Sequence, residues 1–241
     1  MTFYSILLML IFPFLACGET VRVAVASNFA STMEKIKEAF EALSSHELAM
    51  SYGSTGKLYA QIRNGAPYDL FLAADVERPM RLEREERAVS GSRFTYAFGR
   101  LVLWSPTLAI EEGAVLKSAD FRFLALANPK LAPYGEAARA VLLKLALWDS
   151  LMSEKRIVVG ENIGQTFQFV KSGNAQIGFV ARSQIIDLGL KGAWEVPPDW
   201  YDPIEQQGVL LSDSPGAKAL CRFLASEQGL ALISKGGYRV P

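Results

Sequence analysis

Short apolar runs, each ending in a polar turn and then a helical pattern, recur along this chain, and that recurrence constrains its fold more than any other feature. Residues 21–26, Val-Arg-Val-Ala-Val-Ala, alternate β-branched and small side chains as a buried strand does. Ser27-Asn28 follows, and Phe29, Met33, Ile36, Ala39, Phe40 and Leu43 then recur at helical spacing over residues 29–43. The unit repeats at once: residues 48–52 read as a strand, Gly53-Ser54-Thr55-Gly56 as a turn, and residues 57–64 as a helix stopped by Asn64-Gly65-Ala66-Pro67. A third strand is expected over 69–74, with a charged surface helix over 75–87. Residues 96–104 read as one extended stretch. Strands are expected at 124–127, 156–159, 175–181 and 208–211, and helices at 135–147, 163–171, 183–188 and 216–234. The Pro- and Trp-rich residues 194–202 are expected to cross between lobes. Strand–turn–helix units with short turns predict an α/β chain with parallel-rich sheets covered by helices. Ligands of such sheets bind beyond the carboxyl ends of the strands, so the polar turns are the places to inspect.

Bulk properties narrow the function classes. With 241 residues, half of them hydrophobic, the chain can bury the core of one large domain or of two lobes. Its 25 basic and 25 acidic side chains form no long basic run, which argues against nucleic acid or an anionic membrane surface as the main partner. Residues 1–18 stand apart. An apolar run over 6–15, broken only by Pro13, leads into Ala16-Cys17-Gly18, the shape of a secretory signal ahead of its peptidase site, although no Lys or Arg precedes it. The run is too short for a comfortable membrane span. Leu15-Ala16-Cys17 also loosely matches a lipoprotein cleavage box, which makes a lipid anchor at Cys17 the alternative processing. If Cys17 leaves with the signal, Cys221 is alone and no intramolecular disulfide can form.

Four turns share one chemistry: Ser27-Asn28, Gly53-Ser54-Thr55-Gly56, Pro133-Tyr134-Gly135 and Asn162-Ile163-Gly164, each just ahead of an expected helix. A helix start leaves its first N–H groups unpaired and carries about half a positive charge, so several starts together can surround an anion without Lys or Arg. Ordinary N-capping by Ser and Asn is the competing reading for each turn. Gly53 to Lys57 superficially matches the end of a nucleotide phosphate loop. Ser51 stands where that motif needs glycine and Leu58 where it needs a hydroxyl, so the match fails. His46, the only histidine, lies in a polar stretch and is expected to be exposed; no Gly-x-Ser-x-Gly elbow and no His or Cys cluster with metal-ligand spacing exists. Glu85-Glu86 and Glu111-Glu112 read as solvated faces. Nothing here points to an enzyme.

Taken together, Val25-Ala26-Ser27-Asn28-Phe29, Gly53-Ser54-Thr55-Gly56-Lys57-Leu58, Gly65-Ala66-Pro67-Tyr68-Asp69-Leu70-Phe71, Ala73-Ala74-Asp75, Asn128-Pro129, Ala132-Pro133-Tyr134-Gly135 and Gly160-Glu161-Asn162-Ile163 resemble, in order and spacing, the periplasmic molybdate-binding proteins of ABC-type importers. The resemblance spans nearly the whole chain after the signal. It implies a two-lobed α/β fold of the periplasmic-binding-protein (Venus-flytrap, class II) type with mixed, parallel-rich sheets: lobe I from residues 19–97 plus 203–241, lobe II from 98–202. It also implies an oxyanion, molybdate and with it tungstate, held by Ser27, Asn28, Ser54, Tyr134 and the backbone N–H of Ile163, with no cofactor and no directly coordinated metal. A membrane permease is the implied partner, and an exported, monomeric protein the implied form. Many relatives place a ligand tyrosine at the position of Ala181; here it is absent, and Tyr134 stands where a subset of the family puts it. Other oxyanions such as sulfate or phosphate, a sensing module on the same fold, and an enzyme are the competing readings.

Overall fold

The computed structural model describes residues 18–118 and 120–241; of the expected signal at 1–18, all but Gly18 lies outside them, Cys17 included. Strand β1 (Thr20–Ala26) runs through a 3-10 turn at Ser27–Phe29 into α1 (Ala30–Glu41). β2 (Glu47–Gly53) leads into α2 (Thr55–Arg63), and β3 (Leu70–Leu72) into α3 (Glu77–Arg84). Then come β4 (Phe94–Gly99), β5 (Leu101–Trp104), α4 (Ala114–Ser118), β6 (Leu124–Ala127), α5 (Pro133–Lys144) and α6 (Trp148–Ser153). β7 (Ile157–Gly160), α7 (Ile163–Lys171), β8 (Ile177–Ala181), α8 (Arg182–Asp187), β9 (Trp194–Glu195), β10 (Ile204–Leu210), α9 (Pro215–Leu224) and α10 (Glu227–Lys235) complete the chain.

The strands form two five-stranded mixed sheets, ordered β2-β1-β3-β10-β4 and β7-β6-β8-β5-β9. In the first, β1 lies parallel to β2 and β3 while β10 is antiparallel to β3 and β4. The second repeats the plan: β6 is parallel to β7 and β8, and β5 is antiparallel to β8 and β9. The residues explain why. Val21, Val23 and Val25 pack against Phe29, Met33, Ile36 and Phe40, the helically spaced stripe of α1. On the opposite face Ala24 and Phe71 meet Leu58, Tyr59 and Ile62 of α2. A strand covered on both faces reads as a continuous apolar run, as β1 does. In the second sheet, Leu124 and Leu126 face Tyr134, Ala138, Val141 and Leu142 of α5, while Ala125 faces Phe167 and Val170 of α7. Each such apolar side chain contributes roughly 1.5–3 kcal/mol by leaving water. The larger core cluster also takes in Ala26, Ala74 and Ile204 of the first sheet, so the two lobes share packed surface.

Four expectations change. Residues 96–104 are two strands in different sheets: β4 ends at Gly99 and β5 starts at Leu101, which makes Arg100 a crossing between lobes. The return crossing lies between Glu195 and Ile204; the first residues of the 194–202 stretch, Trp194 and Glu195, pair with β5 instead. The expected last helix is two, α9 and α10, divided where Ser226 accepts the Gly229 N–H at 3.2 Å and starts a new helix. His46 is half-buried, stacked on Phe40 with its Nδ1 accepting the Glu19 N–H at 3.3 Å, rather than exposed.

Candidate anion-binding site

Four of the strand-to-helix junctions close around one cavity between the sheets. Ser27, Asn28, Ser54, Thr55, Tyr134 and Ile163 line it, with Ala26, Gly53, Ala74, Ala132 and Pro133 between them; none of these residues is charged. All five residues expected at a site are therefore brought together. The cavity volume is about 10 Å3, room for roughly one water-sized group and far under the roughly 300–1,000 Å3 of pockets that take drug-sized molecules. A small ion fits this room better than a sugar or a peptide.

The junctions are not equivalent. Asn162 caps α7 in the ordinary way, its Oδ1 accepting the Gln165 N–H at 2.9 Å. Ile163 is then the first residue of α7, where a backbone N–H has no intrahelical acceptor. Ser54 holds the N-cap position of α2 with extended backbone, yet its hydroxyl makes no capping bond. Its Oγ is buried and lacks any hydrogen-bond partner, a condition that costs about 1–3 kcal/mol unless something enters to pair with it. Thr55 beside it is committed, accepting the Ala74 N–H at 3.1 Å. Ser27 is half-buried in the first turn and faces Gly164 of the fourth across the cleft. Tyr134 follows Pro133 at the start of α5; Pro there leaves no N–H unpaired.

Asn28 is partly corrected. Its Nδ2 donates to Gln206 Oε1 at 2.9 Å and to the Tyr238 hydroxyl oxygen at 3.1 Å, so the side-chain amide belongs to the scaffold and only the backbone can face a ligand. Tyr134 is 2% exposed. Burial pushes its hydroxyl pKa well above the usual tyrosine value, which leaves it neutral with a proton to donate. Ala181 is buried opposite Leu101 and does not line the cavity. Sequence reasoning missed Gln206, Tyr96 and Tyr238, which hold the donors in place, because a single buried polar side chain bonded to residues far along the chain leaves no local pattern.

The cleft is shut in this structure. The Gly56 N–H donates to Leu131 O at 2.8 Å, Arg78 reaches Lys130 O at 3.2 Å, and Ser183 Oγ donates to Asn28 O at 2.9 Å. Lys57 pairs with Glu161 at 2.9 Å and Lys35 with Asp187 at 2.7 Å. Lys57 is thereby engaged at the rim and supplies no free cation to the cavity. Two wider grooves flank the crossings, of about 410 and 390 Å3. One presents Arg100 and Glu195, already paired at 3.3 Å; the other gathers Asp75, Glu77, Glu136, Asp202 and Glu205 and repels anions. Among the described residues no cluster of His, Cys, Asp or Glu could hold a metal ion, and no helix is long and apolar enough to cross a membrane.

Two α/β lobes joined by crossing strands, with a small uncharged cavity between them, define a two-lobed solute-binding protein. A family model described as bacterial extracellular solute-binding protein matches residues 21–239. The molybdate-binding protein ModA of Azotobacter vinelandii is 47% identical over 235 residues, covering 93% of this chain and 92% of that protein. The molybdate-binding protein ModA of Rhodobacter capsulatus is 43% identical over 228 residues, with 92% and 89% covered. The solved structure of an Azotobacter vinelandii periplasmic molybdate-binding protein superposes with a TM-score of 0.87 at 40% identity, covering 92% of this chain and 99% of that one. The chain thus belongs to the bacterial extracellular solute-binding proteins, within the family of periplasmic molybdate-binding proteins.

Proposed function

We propose that this chain captures molybdate, and with it tungstate, outside the cytoplasm and presents it to the membrane permease of an ABC importer. The observation that carries this reading is the buried, partnerless Ser54 hydroxyl in an uncharged cavity ringed by helix starts. The Ser27 and Ser54 hydroxyls, the Tyr134 hydroxyl and the backbone N–H groups of Asn28 and Ile163 are the proposed donors. Each donor to a charged oxyanion is worth about 1.5–3 kcal/mol, so these five give roughly 8–15 kcal/mol gross. Closure and lost ligand freedom reduce that sum. A dissociation constant on the order of 10 nM needs about 11 kcal/mol, within reach without a cationic side chain. The oxyanion is the whole ligand, with no cofactor beside it.

The two lobes, joined at Arg100 and between Glu195 and Ile204, close on the anion. Hydrogen phosphate is disfavoured because its O–H meets a site made mainly of donors, with only serine hydroxyls able to turn and accept. Sulfate has the same charge on shorter bonds, and its contacts would be long in a cavity sized for molybdate. The protein is proposed to act as a monomer after removal of its signal. A lipid anchor at Cys17 is the alternative to simple release. Calorimetry of the mature chain tests the reading: molybdate and tungstate should bind at least about 100-fold tighter than sulfate or hydrogen phosphate, a gap of about 2.7 kcal/mol. Tight sulfate binding with no response to molybdate would overturn it.

A further inference from the structure

Resting on that reading of the cavity, we propose that Gln206 is a positioning residue that fixes Tyr134 as a donor only, and so determines specificity against oxyanions that carry a proton. Gln206 is fully buried in β10, at the point where the pairing with β4 slips between Gln206 and Gln207. The two adjacent glutamines serve different surroundings. Gln207 bonds to Arg93 and Thr95, whereas Gln206 bonds to Asn28, Tyr96 and Tyr134.

The direction of each bond follows from its neighbours. The Tyr238 hydroxyl donates to Asn28 O at 2.6 Å, the shortest bond of the group, so its oxygen receives Asn28 Nδ2 at 3.1 Å. The same Nδ2 donates to Gln206 Oε1 at 2.9 Å. The Tyr96 hydroxyl lies 3.0 Å from that oxygen and 3.0 Å from Ala73 O, and its one proton serves one of the two. The Asn28 donor at this end of the Gln206 amide makes that end the oxygen. The other end, Nε2, faces the Tyr134 hydroxyl oxygen at 3.4 Å and can only donate. Tyr134 must therefore give its single proton elsewhere. No acceptor for it stands among the described residues, and Tyr134 lines the cavity. Gly99, where the chain crosses between sheets, makes the arrangement possible: a Cβ there would run into the Tyr134 hydroxyl and lie 2.8 Å from Gln206 Nε2.

A partnerless serine hydroxyl can turn to donate or to accept, but a tyrosine held by Gln206 cannot. Molybdate, with four bare oxygens, accepts the Tyr134 proton. The O–H of hydrogen phosphate has nothing to donate to on that side of the site.

Calorimetry with molybdate and with hydrogen phosphate near neutral pH, on the wild type, Gln206→Met, Tyr134→Phe and the double variant, tests this. Gln206→Met keeps the length and removes the amide. It should weaken molybdate about tenfold while weakening hydrogen phosphate less, so the ratio of the two affinities narrows. In the Tyr134→Phe background the same change should narrow the ratio no further. Equal losses for both anions, or losses that add in the double variant, would overturn the proposal while leaving the site reading intact. A wild type that ignores molybdate would overturn both. If Gln206→Met does not fold by circular dichroism, Gly99→Ala displaces the same hydroxyl and should narrow the ratio likewise; an unchanged ratio there contradicts the role of Gln206.

Discussion

Ser54 and Asn162 occupy the same position, the residue ahead of a helix, and do opposite things with it. Asn162 spends its side chain on the Gln165 N–H, whereas Ser54 leaves its hydroxyl buried and unbound. Substitution should separate the two roles. Ser54→Ala is expected to weaken molybdate binding by about 1–3 kcal/mol in calorimetry without lowering the unliganded melting temperature, since it removes an unpaired group. Asn162→Ala is expected to cost about 0.5–2 kcal/mol of stability in the unliganded melt. An Ser54→Ala variant that melts lower and binds as before would make Ser54 a cap after all. At this scale the sequence was half legible. Ser, Asn and Tyr in turns marked where donors could lie, but capping and ligation call for the same side chains, and only the neighbours decide between them. Asn28 shows the limit, because its amide is taken by Gln206 and Tyr238, 178 and 210 residues away in sequence.

Elements were legible wherever burial imposed a period. β1 and α1 follow their apolar spacing closely, and the polar turns mark where strands hand over to helices. The misreadings came where partners change while local conformation does not. From Phe98 to Leu101 the chain stays nearly extended and passes from one sheet to the other, which no local pattern records. Closure also belongs to this scale. A Cβ on Gly56 would lie 3.1 Å from the Leu131 Cα and oxygen, across the cleft. Gly56→Val should hold the lobes apart and lower molybdate affinity about tenfold or more, with the fold retained. Lys57→Ala, which removes an exposed rim pair, should change affinity by less than about 1 kcal/mol. Reversal of that order in calorimetry would mean that the charged rim, not backbone contact, governs closure.

For the molecule as a whole, the buried hydroxyls and the anchoring carboxylates set the pH range. Burial raises Tyr134, Tyr96 and Tyr238 above the usual tyrosine value of about 10, so the unfolded chain gives up these protons first. Their contribution to stability is complete below about pH 10 and is lost as pH rises beyond it. Glu19 is lowered by the Ser214 hydroxyl and the Gly216 N–H at the start of α9, and Asp187 by its bonds to Lys35 and Ser31. Their contribution is present above about pH 4 and is lost as pH falls through the lowered values. Thermal melts should therefore form a plateau between roughly pH 5 and 9, and a protein least stable near pH 7 would contradict these assignments. Burial pushes the Cys221 thiol up to about 12, which disfavours its reactive thiolate form.

Everything at the three scales depends on where the anion sits. Anomalous diffraction at the molybdenum edge from crystals of the loaded protein locates it without prior assumption. The expected map has one strong peak among Ser27, Ser54, Tyr134 and Ile163, with the Ser54 hydroxyl bonded to an oxygen of the anion. A peak in a surface groove, or an anion held by Lys or Arg side chains with Ser54 still unbound, would contradict it.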